Sequence, residues 1–345
     1  MVLAIEWRDA AQPVVRLIDQ TVLPHQERYL DIATVDDLVQ AIGDLAVRGA
    51  PALGAAGALG VAMAMNQGAR EGWDESRLQS EVQRIRDARP TAINLAWGVD
   101  QVRGAMPQGV QEVLRQAHQL VAEDSAANRA LSVLGADWLL ERTGLDKVRV
   151  ITHCNTGALA TTAWGTAYGI IHELHDRGRL GLVYADETRP LLQGARLTSW
   201  ELQQDGIPHV VEADGAASST ILRGLVDVAI IGADRITANG DAANKIGSVA
   251  LALACARAGI PFIVAAPSST VDMSTKRGED ILIEERPSDE VVSLNGHRTA
   301  PEGVTGYNPA FDVTPHDLIS AIVTERGVVE PALHPHPELL ASIAR

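Results

Sequence analysis

From Thr34 onward, apolar residues recur at spacings of three and four. Val35, Leu38, Ile42 and Leu45 share one face of "TVDDLVQAIGDLAVRG", which predicts a helix. Thr34 offers a side-chain cap, and Asp36 and Asp37 fall in the first turn, where the helix dipole favours acids. The same rhythm predicts helices at about 51–66, 77–88, 93–104, 108–122 and 124–140. The pieces "VVRLID" and "RYLDI" near the start alternate like strands and predict a small meander. After "ERTGLDK" the pattern changes. Continuous apolar runs at "VRVITHC" (148–154), "LGLVYAD" (180–186), "PHVVEA" (208–213), "VDVAIIGAD" (226–234) and "PFIVAAP" (261–267) alternate with helical segments. Such runs predict a parallel sheet covered on both faces. Residues 276–310 read as an irregular excursion, and "DLISAIVTER" as a final helix. The expected architecture is α/β, with a mostly helical domain over 1–140 that includes the small β portion, then a parallel-sheet domain over 141–345.

In open parallel sheets the ligand crevice lies outside the carboxyl ends of the strands. Polar residues gather at those ends: Cys154 after the first run, Asp186 and Glu187 after the second, Asp214 after the third and Asp234 after the fourth. Composition narrows the function classes. The chain has 345 residues, 46% hydrophobic and 21% charged, enough for a sizeable core. Its net charge of −15 argues against nucleic acid as the main partner, since phosphate backbones are held by clusters of Lys and Arg. A phosphorylated metabolite remains compatible where a few cations and backbone amides converge. Two cysteines without a CxxC spacing point to a reducing cytoplasm. "MVLAIEWRDAAQPVV" lacks the basic and apolar regions of a secretory signal, and "APALGAAGALGVAMAM" is short for a membrane span, so no membrane partner is expected.

Individual motifs leave alternatives open. In "AVRGAPALG", Pro51 suits a first helical turn, which places Arg48, Gly49 and Ala50 where free amides and a guanidinium attract an anion. A surface Arg48 on a helix–helix turn fits the same residues. Arg89, held in a loop by Pro90, is a second candidate cation. Cys154 stands between two readings: a thiolate favoured by a helix N-terminus, or a small core hydrophobe such as Cys255 in its helix. "DETRPLLQGARLTSWEL" places acids and Arg189 in a loop, then a helix begun by Pro190 with Gln193 and Arg196 near its start. In "IGADRITANGDAANKIGS", an apolar strand runs into Asp234. That residue is either an acid with its pKa raised by burial or a structural cap, and Asn244–Lys245 follow at the start of an alanine-rich helix. The ten histidines are dispersed, "HPHPE" lies in a Pro-rich tail, no metal-ligand cluster is visible, and no GxGxxG supports a dinucleotide.

Taken together, "RGAPALG", "RPTAINL", "THCNTGALAT", "YADETRPLLQGARLTSWEL" and "IGADRITANGDAANKIGS" resemble the methylthioribose-1-phosphate isomerases of methionine salvage, from "LPHQERYL" to "DLISAIVTERGVVEP". That family shares a superfamily with ribose-1,5-bisphosphate isomerases and with regulatory subunits of a translation-initiation exchange factor. The resemblance implies a helical N-terminal domain and a Rossmann-like C-terminal domain. It also implies a homodimer, no cofactor, no metal, and a small phosphorylated sugar as substrate. By motif it implies Cys154 and Asp234 as the catalytic pair, and substrate contacts from Arg48, Gly49, Ala50, Arg89, Gln193, Asn244 and Lys245. The implied reaction is acid-assisted ring opening of 5-methylthioribose 1-phosphate followed by hydrogen transfer from C2 to C1. Asp234 then sits in a dry pocket as the acid. Related isomerases of 5-deoxyribose 1-phosphate or ribose 1,5-bisphosphate, and a non-catalytic sensor of sugar phosphates or nucleotides, are the alternatives.

Overall fold

A helix needs its first amides satisfied, and the Thr34 hydroxyl does this for α1 (Val35–Gly43) by accepting from the Asp37 amide at 3.2 Å. The computed structural model describes residues 3–9, 11–90, 92–294, 296–333 and 337–344. The histidines of "HPHPE", His334 and His336, lie outside the described residues. The chain divides into two units, residues 1–126 with 157–165, and residues 127–156 with 166–345.

In the first unit lies the antiparallel meander β1 (Ile5–Arg8), β2 (Val14–Ile18) and β3 (Tyr29–Ile32); β2 and β3 fall on "VVRLID" and "RYLDI", while β1 was not singled out. The helices are α1, α2 (Ala50–Glu71), α3 (Glu75–Arg86) and α4 (Ile93–Arg103). Helix α2 is rich in Ala and Gly along its first four turns, and that composition lets α4 approach its backbone. A Cβ added at Gly98 would lie 2.0 Å from the Gly54 carbonyl oxygen, and one at Gly57 would lie 2.6 Å from that of Leu95. Substituents at these positions are therefore excluded by backbone rather than by movable side chains. Helix α5 (Val110–Thr143) begins in this unit and ends in the other. The sequence predicts two helices here, but no Gly or Pro occurs from Val110 to Leu134, so nothing breaks the ladder near Asp124.

The second unit holds a seven-stranded sheet. Its strands are β4 (Val148–Thr152), β5 (Leu180–Asp186), β6 (His209–Glu212), β7 (Val228–Ile231), β10 (Phe262–Ala265), β15 (Ala321–Thr324) and β16 (Gly327–Val329). Their order is β16-β15-β10-β7-β4-β5-β6, and all pairings are parallel except β15 with β16. The crossovers carry α6 (Ala167–Asp176), α7 (Ser199–Gln204), α8 (Ala217–Leu222) and α9 (Ser248–Ala258). A smaller sheet of β11 (Val271–Asp272), β8 (Arg235–Thr237), β9 (Ala242–Lys245) and β14 (Phe311–Thr314) was not foreseen. Its strands have two to four residues each and are scattered over 80 positions, too short for a hydrophobic period to register. Residues 276–310 are irregular as expected, broken only by short elements including α10 (Asp289–Val292) and the pair β12 (Ser293–Leu294) and β13 (His297–Arg298).

One expectation is overturned. "DLISAIVTER" is not a helix: it forms a short turn at His316–Leu318 and then β15, which closes on β10 with Ile263 opposite Ala321. Four consecutive fully buried residues, three of them β-branched, suit a central parallel strand better than an amphipathic helix. The chain ends in α11 (Pro337–Ile343). No helix among the described residues is long and apolar enough to cross a membrane.

Candidate active site

Strands β4, β5 and β6 run outward in chain order on one side, and β7, β10 and β15 on the other, so the order reverses between β4 and β7. Ligands of open parallel sheets bind outside the carboxyl ends at such a reversal. The two strands are paired there, with Ile151 opposite Ala229, and the Thr152 hydroxyl donates to the Ile230 carbonyl at 2.8 Å. Cys154 follows β4 by two residues and Asp234 follows β7 by three, so the two candidates leave neighbouring strand ends at the switch point.

The backbone around Cys154 is over-determined. Cys154 has φ +66°, a left-handed conformation that costs an L-residue about 1–3 kcal/mol and persists only when its surroundings enforce it. Its amide donates to Thr188 Oγ1 at 2.9 Å and its carbonyl accepts from Thr198 Oγ1 at 2.6 Å. Thr188, itself at φ +63°, donates its amide to Asp214 at 2.7 Å and its hydroxyl to the Asp186 carbonyl at 3.0 Å. The next residue, Asn155, is buried and donates to Glu201 at 2.6 Å. Cys154 itself is buried at 7% exposure. Cys255 keeps the inert role expected of it, buried in the core with its thiol pushed up to about 12 by burial.

Gln193 is buried, and its side-chain oxygen has no hydrogen-bond partner among the described residues. It precedes a π-helical turn, Gly194–Thr198, that leads into α7, so the helical segment begins at Gln193 and not at Pro190. Gly194 is obligatory, because a Cβ there would lie 1.7 Å from the Asp186 carbonyl oxygen. Asp234 departs from expectation. It is exposed, since the buried stretch of β7 ends at Gly232 and the chain then climbs to β8. A dry carboxyl held protonated by burial is therefore not what the fold provides. Its amide donates to the Ala243 carbonyl at 2.9 Å, which sets Asp234 opposite the residue before Asn244. Asn244 and Lys245 sit at the end of β9 rather than at a helix start. Asn244 donates to Ser248 Oγ at 2.9 Å, while the Lys245 ammonium donates to the Ala310 carbonyl at 2.9 Å and lies 4.4 Å from the Phe311 ring centroid.

In the first unit, Gly49 is the N-cap of α2 at φ +94°, and Pro51 occupies the first turn as expected. A Cβ at Gly49 would lie 2.2 Å from the Ala160 carbonyl oxygen. Arg48 Nε donates to Gln20 Oε1 at 3.3 Å, and Gln20 Nε2 in turn donates to the Leu159 carbonyl at 2.7 Å. Arg89 lies between α3 and α4, and its carbonyl accepts from the Ala92 amide at 2.9 Å. A Cβ added at Gly54 would lie 3.4 Å from the Asn94 carbonyl oxygen, so the N-terminal part of α2 packs against the start of α4. Gln20 gives no signal in the sequence, since its partners are 28 and 139 positions away.

A second group was also not foreseen. His153, Asp186 and Asp214 offer side-chain atoms all within 4.8 Å of one another, a spacing compatible with a metal ion. Most of those atoms are already engaged. His153 Nδ1 and Nε2 lie 2.8 Å from Asp186 Oδ2 and from the Ile246 carbonyl, and Asp214 accepts the amides of Thr188 and Arg189. Asp186 Oδ1 is buried with no hydrogen-bond partner among the described residues, so the network is not closed.

Comparison with known proteins identifies the family. Residues 46–331 match the model of the initiation factor 2 subunit family. A methylthioribose-1-phosphate isomerase of Anaeromyxobacter dehalogenans is 50% identical over 97% of this chain and 96% of its own length. A probable bifunctional methylthioribose-1-phosphate isomerase/methylthioribulose-1-phosphate dehydratase of Nocardia farcinica is 49% identical over 97% of this chain, which spans 60% of that relative's length. Among solved structures, 5-methylthioribose 1-phosphate isomerase from Pyrococcus horikoshii superposes with a TM-score of 0.88 at 37% identity, covering 99% of this chain and 96% of the other. A chain from A. fulgidus described as translation initiation factor eIF-2B, subunit delta, superposes with a TM-score of 0.85 at 39% identity, over 99% of this chain and all of the other.

Proposed function

The chain belongs to the initiation factor 2 subunit family, on its methylthioribose-1-phosphate isomerase branch, and from that premise we infer that it converts 5-methylthioribose 1-phosphate into 5-methylthioribulose 1-phosphate in methionine salvage. The observation that carries the site assignment is the emergence of Cys154 and Asp234 from the adjacent ends of β4 and β7, where the strand order reverses. That order, 3-2-1-4-5-6 when the parallel strands are counted along the chain, supports reading residues 141–345 as a Rossmann-like catalytic domain and 1–140 as the N-terminal domain. The family reading brings with it a homodimer in the cytoplasm.

The substrate's anomeric phosphate blocks spontaneous ring opening, so the enzyme opens a phosphorylated ring while keeping the phosphate. In this reading Asp234 protonates the ring oxygen as its bond to C1 breaks, and Cys154 takes the proton from C2 to leave a cis C1=C2 enol phosphate. A proton is then returned to C1 while the C2 hydroxyl gives up its own proton to form the ketone, restoring Asp234. General acid and base help of this kind contributes about 10²–10⁴-fold. Arg48, Arg89 and the amides of Gly49 and Ala50 hold the phosphate, and Gln193, Asn244 and Lys245 hold the sugar hydroxyls.

Two measurements test this. The purified protein is expected to rank 5-methylthioribose 1-phosphate above 5-deoxyribose 1-phosphate and ribose 1,5-bisphosphate by kcat/KM. Turnover of none of the three would favour the second reading, a non-catalytic sugar-phosphate sensor, which the likeness to the chain described as a translation initiation factor subunit supports. In deuterium oxide, measurable deuterium is expected at C1 of the product. Its complete absence would mean that hydrogen moves as a hydride and that Cys154 handles only oxygen-bound protons.

A further inference from the structure

His153 is the residue before Cys154, and its imidazole is 1% exposed. One ring nitrogen, Nε2, lies 2.8 Å from the Ile246 carbonyl oxygen. A carbonyl only accepts, so Nε2 carries a proton. The other, Nδ1, lies 2.8 Å from Asp186 Oδ2, and that contact needs a second proton, on the nitrogen or on the carboxyl. The ring therefore ties three segments together: the end of β4 with Cys154, the end of β5 leading to Thr188, and the turn between Lys245 and α9. The fold makes room for it. Gly247 has φ +110°, and a Cβ there would lie 2.9 Å from His153 Cε1 and 3.0 Å from Nε2.

Resting on the isomerase reading above, we propose that His153 is a positioning residue. It holds the left-handed Cys154 backbone and the Asn244–Lys245 turn in their working arrangement only while a proton occupies its contact with Asp186. If that proton leaves, either two acceptors face each other at Nδ1 and Oδ2, or the ring changes tautomer and its bond to Ile246 is lost. Both outcomes loosen a segment that the site needs, and misplacement of about 1 Å costs about 10²-fold in rate.

The groups facing the ring agree on its charge. Asp186 reaches it from β5, Asp214 from the turn after β6 and Asp312 from β14, while Glu212 acts on Asp186. Burial alone would drive the proton off the ring, but the Asp186 carboxylate, then Asp214, outweigh it, so His153 titrates above its ordinary value. Burial likewise pushes the Asp186 carboxyl up to about 6, against the pull of His153. Both shifts retain a proton in the contact. It is present throughout the range below the ordinary imidazole value and is lost as pH rises through the raised one.

The test is kcat as a function of pH for the wild type, D186N, D186A and H153A, assayed with 5-methylthioribose 1-phosphate. An Asn amide meets Nδ1 as donor or acceptor without a titrating proton. The wild type is expected to show an alkaline fall in kcat, and D186N is expected to lose that fall and to exceed D186A at least tenfold at the plateau. H153A is expected to lose about 10²-fold in kcat, with KM changed much less. An unchanged alkaline limb in D186N would overturn the proposal, and so would a D186N no more active than D186A. In the wild type, the ¹⁵N shifts of the His153 ring are expected to titrate over the same pH window as kcat. Invariance across that window would overturn the proposal even if every variant misfolds. A wild type that turns over no sugar phosphate would instead defeat the isomerase reading.

Discussion

Cys154→Ser is expected to lower kcat by about 10²–10⁴-fold while leaving the fold and KM nearly unchanged. The serine hydroxyl fills almost the same space and accepts the same φ of +66°, so the hydrogen bonds from the Cys154 amide and to its carbonyl persist. What is lost is the thiol, which as a chemical class exchanges its proton far more readily than an alcohol does. Circular dichroism and the melting temperature separate this outcome from a folding defect. Asp234→Asn is expected to lose activity on the same scale, because an amide cannot donate an acidic proton to the ring oxygen. Since Asp234 is exposed, that substitution leaves no uncompensated buried charge, and stability is expected to change by less than about 0.5 kcal/mol. Undiminished turnover in the Cys154 variant would return the residue to the role of a small core side chain.

The second large effect concerns stability. Gly194→Ala is expected to destabilise the protein by about 3 kcal/mol or more, or to prevent its accumulation. The added Cβ would lie 1.7 Å from the Asp186 carbonyl oxygen and 2.8 Å from Thr188 Oγ1. The first of these belongs to the backbone of a sheet strand, so relief requires β5 or the π-helical turn to move, and with it the Thr188 hydroxyl that receives the Cys154 amide. Gly43 provides the control. It closes α1, and a Cβ added there would meet nothing within 4 Å, so Gly43→Ala is expected to be neutral or stabilising by about 0.5–1 kcal/mol. Thermal unfolding of the two variants beside the wild type reads the difference in sign.

Much of this architecture is legible in local pattern, and the parts that are not share a cause. Helices α1 to α4 and strands β4 to β7 carry strong periodicities or continuous apolar runs bounded by turn residues, and they form where expected. Strand β15 misleads because a fully buried strand and a buried helix are both apolar throughout, and only the pairing of Ala321 with Ile263 decides between them. The positions of Cys154 and Asp234 at strand ends follow from the sheet's topology and can be read in advance. Asp234's exposure cannot, because "VAIIG" before it signals burial and says nothing of where the chain turns next. His153 and Gln20 are invisible for a different reason. Their partners lie 33, 93 and 139 positions away, and no spacing rule spans such distances.

The division of the chain has a consequence for its synthesis. Residues 157–165 belong to the unit whose other part ends at Ala126, and they supply the Ala160 carbonyl that receives the Ala52 amide and the Leu159 carbonyl that receives Gln20. A nascent chain that has emerged only as far as β4 thus carries α2 with its entry unsealed, and Gln20 without its acceptor. Closure of this unit waits on a stretch made some thirty residues after the rest of it, by which time the first strand of the seven-stranded sheet has already been translated. No single cut in the gene releases that unit free of residues 127–156, which belong to the other.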